Sequence, residues 1–417
     1  MEQSVKELGL AFSGAPTNTE DGSMVFFNPG AMGQMHGSLV SLSGHLIVPS
    51  STFKDRGSHM SPLLGGTPLR GGSGGDAGGI ALIPTGYYVR ELAERWVVGL
   101  GVNTPFGVHN DYQPDWKGRY QAIGSELITV NVNPALAFRV TDSVSFGAGL
   151  NIQYLRATLT NAIDFGTICF KSLGPLACAS GGLMPQEADG RVAVKGDSIG
   201  LGYNLGLFYQ PYPNTRLGVS YRSKIDQRLK GQADFSMPAA AMPLTVGDSF
   251  VDTDIRASVS MPESVTLGFY QRVHPQWAFT GDALWTRWSR IKELRTEFAS
   301  AQADSVQRMD WRDTWRYAMG ISYYPDSAWT FRTGLAYDQT PVPDARRRTP
   351  RIPDNDRIWL TAGISYRFSD NFVLHGAYAH LFLADPRIDS QSPTGDRLIG
   401  QYSAQIDIVS LQLDCQF

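Results

Sequence analysis

The feature that most constrains this chain is a period-two alternation sustained over segments longer than ten residues. In 144–154 the even positions read Val144, Phe146, Ala148, Leu150, Ile152 and Tyr154, and the odd ones Ser145, Gly147, Gly149, Asn151 and Gln153. Residues 309–323 carry Met309, Trp311, Trp315, Tyr317, Met319, Ile321 and Tyr323 at odd positions. The other face there holds Arg308, Asp310, Arg312, Thr314, Arg316, Ala318 and Gly320. The chain ends on Val409, Leu411, Leu413, Cys415 and Phe417 in the same pattern. Period two describes a strand with one apolar face. Soluble sandwiches bury such a face as well, but their strands run about 5–6 residues, whereas a tilted membrane strand needs about 9–11. No apolar run reaches the ~18–20 residues of a membrane helix. With 44 Gly, 20 Phe, 17 Tyr and 9 Trp among 417 residues, the composition leaves large β-sandwiches and membrane β-barrels, and strand length selects the barrel.

Short turns punctuate the pattern at Glu91–Arg95, Thr141–Ser143, Tyr212–Thr215, His274–Gln276, Pro325–Ala328 and Ser369–Asn371, with Trp96, Phe146, Trp277, Trp329 and Phe372 beside them. Tight turns flanked by aromatics fit the periplasmic rim and interfacial girdle of a barrel. Six such turns separate seven hairpins, so the expectation is an all-β membrane protein: a 14-stranded antiparallel outer-membrane β-barrel spanning 38–417. Residues 1–37 lack alternation yet carry Leu8, Leu10, Phe12, Met24, Val25, Phe26, Phe27, Met32 and Met35. That is too apolar for a free tail in water and predicts an N-terminal hatch plugging the lumen. Met1–Lys6 opens no apolar signal segment. The chain is then either cytosolic or numbered from a mature or engineered terminus, and the strand pattern favours the second. A net charge of −3 excludes an electrostatic nucleic-acid binder and an acidic disordered tail.

Particular residues then point to a family. Gly9-Leu10-Ala11-Phe12-Ser13-Gly14, Glu20-Asp21-Gly22-Ser23 and Phe27-Asn28-Pro29-Gly30 resemble the hatch of the FadL-type long-chain fatty-acid transporters. Trp329-Thr330-Phe331-Arg332-Thr333-Gly334, Pro341-Val342-Pro343, Ile352-Pro353-Asp354-Asn355-Asp356-Arg357, the turn Pro275-Gln276-Trp277 and Trp285-Thr286-Arg287-Trp288-Ser289 resemble it too. The likeness spans nearly the whole chain. One departure is Gly30, where the family usually has Ala after Asn-Pro; glycine there would loosen the hatch turn. The resemblance implies a fourteen-stranded barrel with a hatch. It also implies passive transport of long-chain fatty acids: capture in an apolar groove among outer loops, transfer to a lumenal pocket, and lateral release where the third strand kinks. No cofactor or enzymatic activity is implied, and the chain would work as a monomer among outer-membrane lipid and lipopolysaccharide.

A fatty acid needs an apolar trough and a cation. Two long loops, near 161–195 and 231–256, supply Phe170, Leu173, Leu176, Phe235, Met237 and Leu244. In the strand at 306–324, Arg308, Arg312 and Arg316 fall on the inward face. The family's basic ligand position points to Arg308, then Arg312; a lumenal salt-bridge ladder with Asp310, Asp282 and Asp338 is the equal alternative. The family's second arginine falls on Asn161 here, and Arg156 nearby has outward parity. The third strand, from Trp96 to about Val108, carries Asn103, Pro105, Phe106 and Gly107, where a missing N–H makes a break sensible. Cys169 and Cys178, nine apart, either bridge in an oxidising compartment or stay free. Gly72-Ser73-Gly74-Gly75-Asp76-Ala77 matches a dinucleotide fingerprint only formally and reads as a flexible outer loop. The seven His show no metal spacing. No Gly-x-Ser-x-Gly elbow supports a hydrolase, which stays a rival class beside an adhesin. Within transport, neutral aromatic hydrocarbons or alkanes are the alternative cargo.

Overall fold

In the computed structural model, which describes residues 2–245 and 247–417, the alternation resolves into strands whose large apolar side chains point away from the centre. The first six are β1 (Ser38–Asp55), β2 (Ala81–Ala93), β3 (Trp96–Asn103, resuming as Gly107–Asp111), β4 (Gly124–Thr141), β5 (Val144–Asp164) and β6 (Asp189–Tyr212). Four more are interrupted: β7 (Thr215–Arg222 and Ile225–Ser236), β8 (Thr253–Met261 and Ser264–His274), β9 (Trp277–Thr286 and Glu293–Phe298) and β10 (Ser305–Arg308 and Thr314–Tyr323). The rest are β11 (Trp329–Asp338), β12 (Arg357–Arg367), β13 (Phe372–Leu383, then Arg387–Gln391) and β14 (Arg397–Gln416). Each pairs antiparallel with its sequence neighbour. β14 returns to β1 from Leu39↔Gln416 to Asp55↔Gly400, which closes the wall and leaves no edge.

All six tight turns fall where the sequence puts them. Beside them, cross-strand aromatic pairs line one rim: Trp96 with Phe138, Trp277 with Tyr323 and Trp329 with Tyr366, ring centroids 4.5–4.7 Å apart. Short turns with an aromatic girdle mark the periplasmic side. Between the rims the outer face is apolar, as at Leu201, 65% exposed, and Met319, also 65%. No helix among the described residues is long and apolar enough to cross a membrane; the strands cross it.

Ahead of Ser38, short helical turns fill the lumen: α1 (Val5–Leu8), a 3-10 turn at Ala15–Thr17, α2 (Met24–Phe27) and a 3-10 turn at Pro29–Gln34. Their apolar side chains pack on the inner wall. Met24, Val25 and Met32 meet Tyr87, Val97 and Phe208. Val5, Leu8 and Phe12 meet Trp359, Leu381 and Ile408, with partly buried Phe27 against them; Phe26 stacks edge-on with Phe27 at 5.1 Å. The turn at Asn28-Pro29-Gly30 is fixed by Asn28, whose carbonyl accepts from Gly30 N (3.0 Å) and whose amide donates to Pro16 O (2.6 Å) and Leu207 O (3.0 Å). Gly30 does not loosen this turn. A Cβ there would lie 2.7 Å from Gly206 O, so the turn is pressed onto the wall and a side chain has no room.

A buried charge pair sits inside this segment. Lys6 Nζ lies 3.0 Å from Glu20 and 3.5 Å from Glu7. Burial pushes the Glu7 carboxyl up to about 7, against the pull of Lys6, while Lys6 holds Glu20 well below the usual carboxylate range. A carboxyl raised on folding stabilises the docked state below its ordinary pKa and loses that contribution as pH rises through the folded value. Glu20 acts in the opposite sense, and only below the ordinary range. Amide exchange in 5–12, corrected for intrinsic rates, should therefore quicken several-fold between about pH 5 and about pH 7.5. Glu7→Gln should flatten the profile, and an unchanged profile in that variant would exclude Glu7 as the titrating group.

Candidate functional site

At the outer end, two loops meet. After β5, a helix at Phe165–Leu173 and another at Pro175–Ser180 form a hairpin joined by the Cys169–Cys178 disulfide. Asp164 starts the first helix, its carboxylate accepting from Thr167 N at 2.8 Å and Gln186 N at 3.0 Å, the expected satisfaction of orphan N–H groups. Phe165, Cys169, Cys178, Leu183 and Ala241 are buried together, and partly buried Phe170, Met237 and Leu244 pack against them. Residues from both loops thus share one apolar cluster. Phe235 lies in β7 itself, packed with Val192, Ala233 and Ile255 in the adjoining cluster. Leu173 and Leu176 project outward, Leu176 with 90% of its surface exposed. Exposed apolar side chains grouped at the mouth of a barrel mark a candidate binding surface. The loop at 72–77 is bonded to the segment 113–117: Gly74 O accepts from Gln113 N at 3.0 Å and Gly72 O from Lys117 N at 3.1 Å.

Deeper in the lumen, two apolar clusters adjoin. One holds Ile291, Met309, Trp311 and Val342, with Trp288 and Ile352 beside them; the other holds Leu155, Ile225, Leu229 and Met261, with Phe106 and Leu127. Phe106 links them, its ring 6.1 Å from Trp288, and Trp288 is 5.3 Å from Trp311.

Phe106 sits in the interruption of β3. Pairing with β4 runs to Asn103↔Asn131 and resumes at Gly107↔Ile128, so three residues face two, a bulge that also carries the donor-less Pro105. Thr129 satisfies the exposed backbone there, donating to Phe106 O (2.8 Å) and accepting from Phe106 N (2.9 Å). Gln3 of the hatch donates to Thr104 O at 2.8 Å. On the other side, β2 and β3 pair only as far as Gly86↔Val102 and meet again in one bridge, Gly78↔Asn110. Both ends keep the same register, so the strands part and rejoin without slipping. Residues 79–85 and 103–109 between them are unpaired with each other, a slit of roughly 20 Å at strand rise, with Phe106 behind it.

The arginines are arranged differently from the sequence expectation. The strand at 306–324 is not continuous. It breaks after Arg308, Asp310 takes a left-handed conformation (φ 45°), and Met309 and Asp310 both donate to Lys292 O at 2.8 Å. The break resets which side chains face inward. Met309 and Trp311 become lumenal, 1% and 6% exposed, while Arg308 and Arg312 are exposed at the outer end. Only Arg316 keeps the inward position. It pairs with Asp282 (3.5 Å) and donates to Ala11 O of the hatch, so the ladder reading holds for this residue. Asp338 pairs instead with Arg357 (3.0 Å) and Asp310 with Arg347 (2.8 Å).

A cation the sequence reading missed is Arg351, in the loop between β11 and β12. It donates to Gly124 O and Ser125 Oγ at 3.0 Å and to Asn161 Oδ1 at 3.2 Å. No carboxylate among the described residues pairs with it, and burial lowers it to about 10. Arg312 and Arg351 are sequence neighbours of Trp311 and Ile352, so both flank the outer lumenal cluster. Nothing local in the sequence singles out Arg351, because its partners come from β4 and β5. A groove of about 970 Å³ lies on the outside of the wall. Arg156, Lys195, Lys230 and Arg256 there are balanced by Asp197, Asp234, Asp254 and Glu297, which gives it no preference for an anion.

Near the periplasmic end, Ser365 Oγ lies 2.6 Å from His375 Nδ1, and His375 Nε2 lies 2.8 Å from Asp414 Oδ2. The order resembles a hydrolytic triad. Ser365 and His375 are, however, 4% and 5% exposed, Arg332 donates to the same Ser365 oxygen, and a nucleophile needs reach to its substrate. The row leads elsewhere: Gln412 donates to Asp414 (2.9 Å) and accepts from Val5 N of α1 (2.8 Å). Its role is to hold the hatch.

Across residues 1–417 the sequence matches the family model described as outer membrane protein transport protein (OMPP1/FadL/TodX). A long-chain fatty acid transport protein of Escherichia coli O6:H1 is 29% identical over 386 residues, covering 89% of this chain and 83% of that one. A putative outer membrane protein of Neisseria meningitidis serogroup B is 28% identical, with 100% of this chain and 93% of that one covered. Among solved structures, a Pseudomonas aeruginosa FadL homologue matches with a TM-score of 0.90 at 25% identity, covering 100% and 98% of the two chains. The Pseudomonas putida toluene transporter TodX matches with 0.68 at 18% identity over 95% and 94%, a likeness of fold alone.

Proposed function

This chain belongs to the OMPP1/FadL/TodX family of outer-membrane transport proteins, and we propose that it carries long-chain fatty acids passively across that membrane. The fatty acid is captured on the apolar loop surface around Leu173, Leu176 and Met242. It then enters the clusters around Trp311 and Phe106, and leaves sideways through the slit between β2 and β3. The observation that carries this reading is the position of Phe106: one side chain belongs to the strand break, to the lumenal apolar cluster and to the inner side of the slit. A lateral route spares the cargo both the polar lipopolysaccharide layer and the hatch. Arg312 and Arg351 favour a carboxylate over a neutral hydrocarbon, since neither has an acidic partner among the described residues. Arg308, one step further out, is assigned to the entry. Binding order and consumption inside the cell set direction, with no energy source.

Detergent-solubilised protein should bind oleate saturably and more tightly than a neutral hydrocarbon of similar size. Arg312→Ala and Arg308→Ala should each weaken oleate binding several-fold with an unchanged thermal transition. Equal or stronger binding of the hydrocarbon would make this a channel for neutral compounds, and oleate affinity indifferent to both substitutions would remove Arg308 and Arg312 from the site.

A further inference from the structure

One lumenal cation stands apart from the outer arginines. Arg222, the last residue of the first segment of β7, points inward and donates to Asn151 Oδ1 at 2.7 Å and to Phe26 O at 2.8 Å. Its guanidinium lies 3.9 Å from the Phe26 ring centroid. No carboxylate among the described residues forms an ion pair with it, unlike Arg316, Arg357 and Arg119, each of which has an aspartate within 3.5 Å. A guanidinium has five N–H donors, and protein oxygens take only two of them here.

Its surroundings carry spare hydrogen-bonding capacity as well. Asn103, Asn131, Asn133, Asn151 and Asn204 are at most 2% exposed. They form one strip from β3 to β6: Asn131 donates to Asn103 and Asn151, and Asn133 and Asn151 donate to Asn204, at 3.0–3.2 Å. Within it, Asn103 Nδ2, Asn131 Oδ1 and Asn133 Oδ1 have no hydrogen-bond partner. Buried polar atoms are nearly always satisfied; of these three the two oxygens call for a donor, and it is the Asn103 amide, with the spare N–H groups of Arg222, that offers hydrogens to an anion. The same strands turn apolar further along: Phe106 lies beyond Asn103, Leu155 beyond Asn151 and the buried Gln153, and Ile225 beyond Arg222, with all three apolar residues in one cluster.

We propose that Arg222, with Asn103 and Asn151, is an exit-side head-group slot for the carboxylate of a long-chain fatty acid, distinct from the entry arginines. The inference rests on the fatty-acid reading above. A carboxylate on Arg222 places the alkyl chain along Leu155, Ile225 and Phe106, level with the slit, whose lower end is Asn103. The tail then reaches the bilayer first and the head group follows.

The test compares oleate with methyl oleate, which has the same chain and no charge, on the full-length protein in detergent. Arg222→Gln should weaken oleate binding at least tenfold and leave methyl oleate within about twofold, and Arg222→Lys should keep most of the preference for oleate. Because Arg222 also holds Phe26 O, a second variant separates charge from hatch docking. Asn151→Asp supplies Arg222 with an internal carboxylate and gives up the amide's bond to Asn204, without touching the bond from Arg222 to Phe26 O, so it should remove the oleate preference while methyl oleate binding stays within about twofold. Unchanged oleate affinity in Arg222→Gln, or equal losses for both ligands, would overturn the slot and leave Arg222 as a hatch anchor. Wild-type protein that binds the ester better than the acid would instead overturn the fatty-acid reading itself.

Discussion

Deleting Pro105 should reduce oleate uptake at least tenfold while leaving oleate binding within about threefold. Three residues of β3, 104–106, face two of β4, and the surplus residue is what lifts the strand out of the ladder. Removing one makes the count equal. The residue removed is also the one that has no N–H to give, so every residue left in the shortened strand has a donor for the ladder. Each ladder bond contributes only about 1 kcal/mol net, but the segment is continuous with well-paired strand on both sides, so closure is cooperative. β2 already stands extended beside the gap, paired to β1 out to Ala81, and offers unpaired backbone to a straightened neighbour; the deletion shifts the register against β2 by one residue, and that shift falls on the single Gly78↔Asn110 bridge, which gives way. The measurement is labelled-oleate uptake by cells lacking their own transporter, at matched surface expression, alongside binding to purified protein. Undiminished uptake with the ladder closed would mean that cargo leaves by another path, past the hatch.

Much of the wall was legible because the membrane imposes one condition on every strand. Outward positions must be apolar over the bilayer's depth, inward ones need not be, and each return on the periplasmic side is short. Trp96, Phe146, Trp277, Trp329 and Phe372 beside polar turns therefore locate five of the six hairpin ends from sequence alone. The condition lapses above the bilayer. There Asp310 turns left-handed, Met309 and Trp311 swing inside, and parity counted up from Tyr323 assigns Arg308 and Arg312 to the wrong face. Alternation holds only while the ladder is unbroken, and the breaks are set by loops packing over the mouth, as where Met309 and Asp310 find Lys292 O.

The lumenal chemistry was less legible for a different reason. An inward polar residue on a barrel strand reads the same whether it pairs, fills space or waits for a ligand. Asn131 and Asn133 flank Val132 in plain alternation, which marks them as inward. What makes them notable is meeting Asn103, Asn151 and Asn204 from three other strands, and register across distant hairpins decides that. Arg222 and Arg351 were missed likewise: the first matters because no carboxylate among the described residues pairs with it, the second because an outer loop folds back onto β4 and β5. The loop pair around Phe170, Met237 and Leu244 was visible because apolar residues in long outer loops are conspicuous wherever they lie.

The hatch supplies the second large effect. Gly147→Val should turn a sealed barrel into a conducting one. Gly147 on β5 pairs in register with Gly206 on β6, and the turn at Asn28–Gly30 rests on both. A Cβ at Gly147 would lie 2.3 Å from the Pro29 carbonyl carbon and 2.6 Å from Gly30 N, while one at Gly206 would lie 1.9 Å from Asn28 Oδ1. The contacts are backbone on backbone, so no rotamer change relieves them and the turn has to lift. Lifting it strains or breaks the bonds from Ser145 Oγ to Gly30 O (2.7 Å) and from Arg139 Nε to Gly33 O (2.6 Å), along with those of Asn28 to the wall. Leaving such buried groups unsatisfied costs about 1–3 kcal/mol each, enough in sum to undock this part of the hatch. The wall itself should persist, since valine suits a strand and the β5 ladder is untouched. Single-channel recording should show steps absent from wild type, with far-UV circular dichroism unchanged. Gly44→Val is the control, because a Cβ there meets only the Leu82 side chain at 3.9 Å and touches no hatch residue. A folded Gly147→Val protein that stays silent would show that the seal lies elsewhere, at the α1 end held by Gln412 and Arg316.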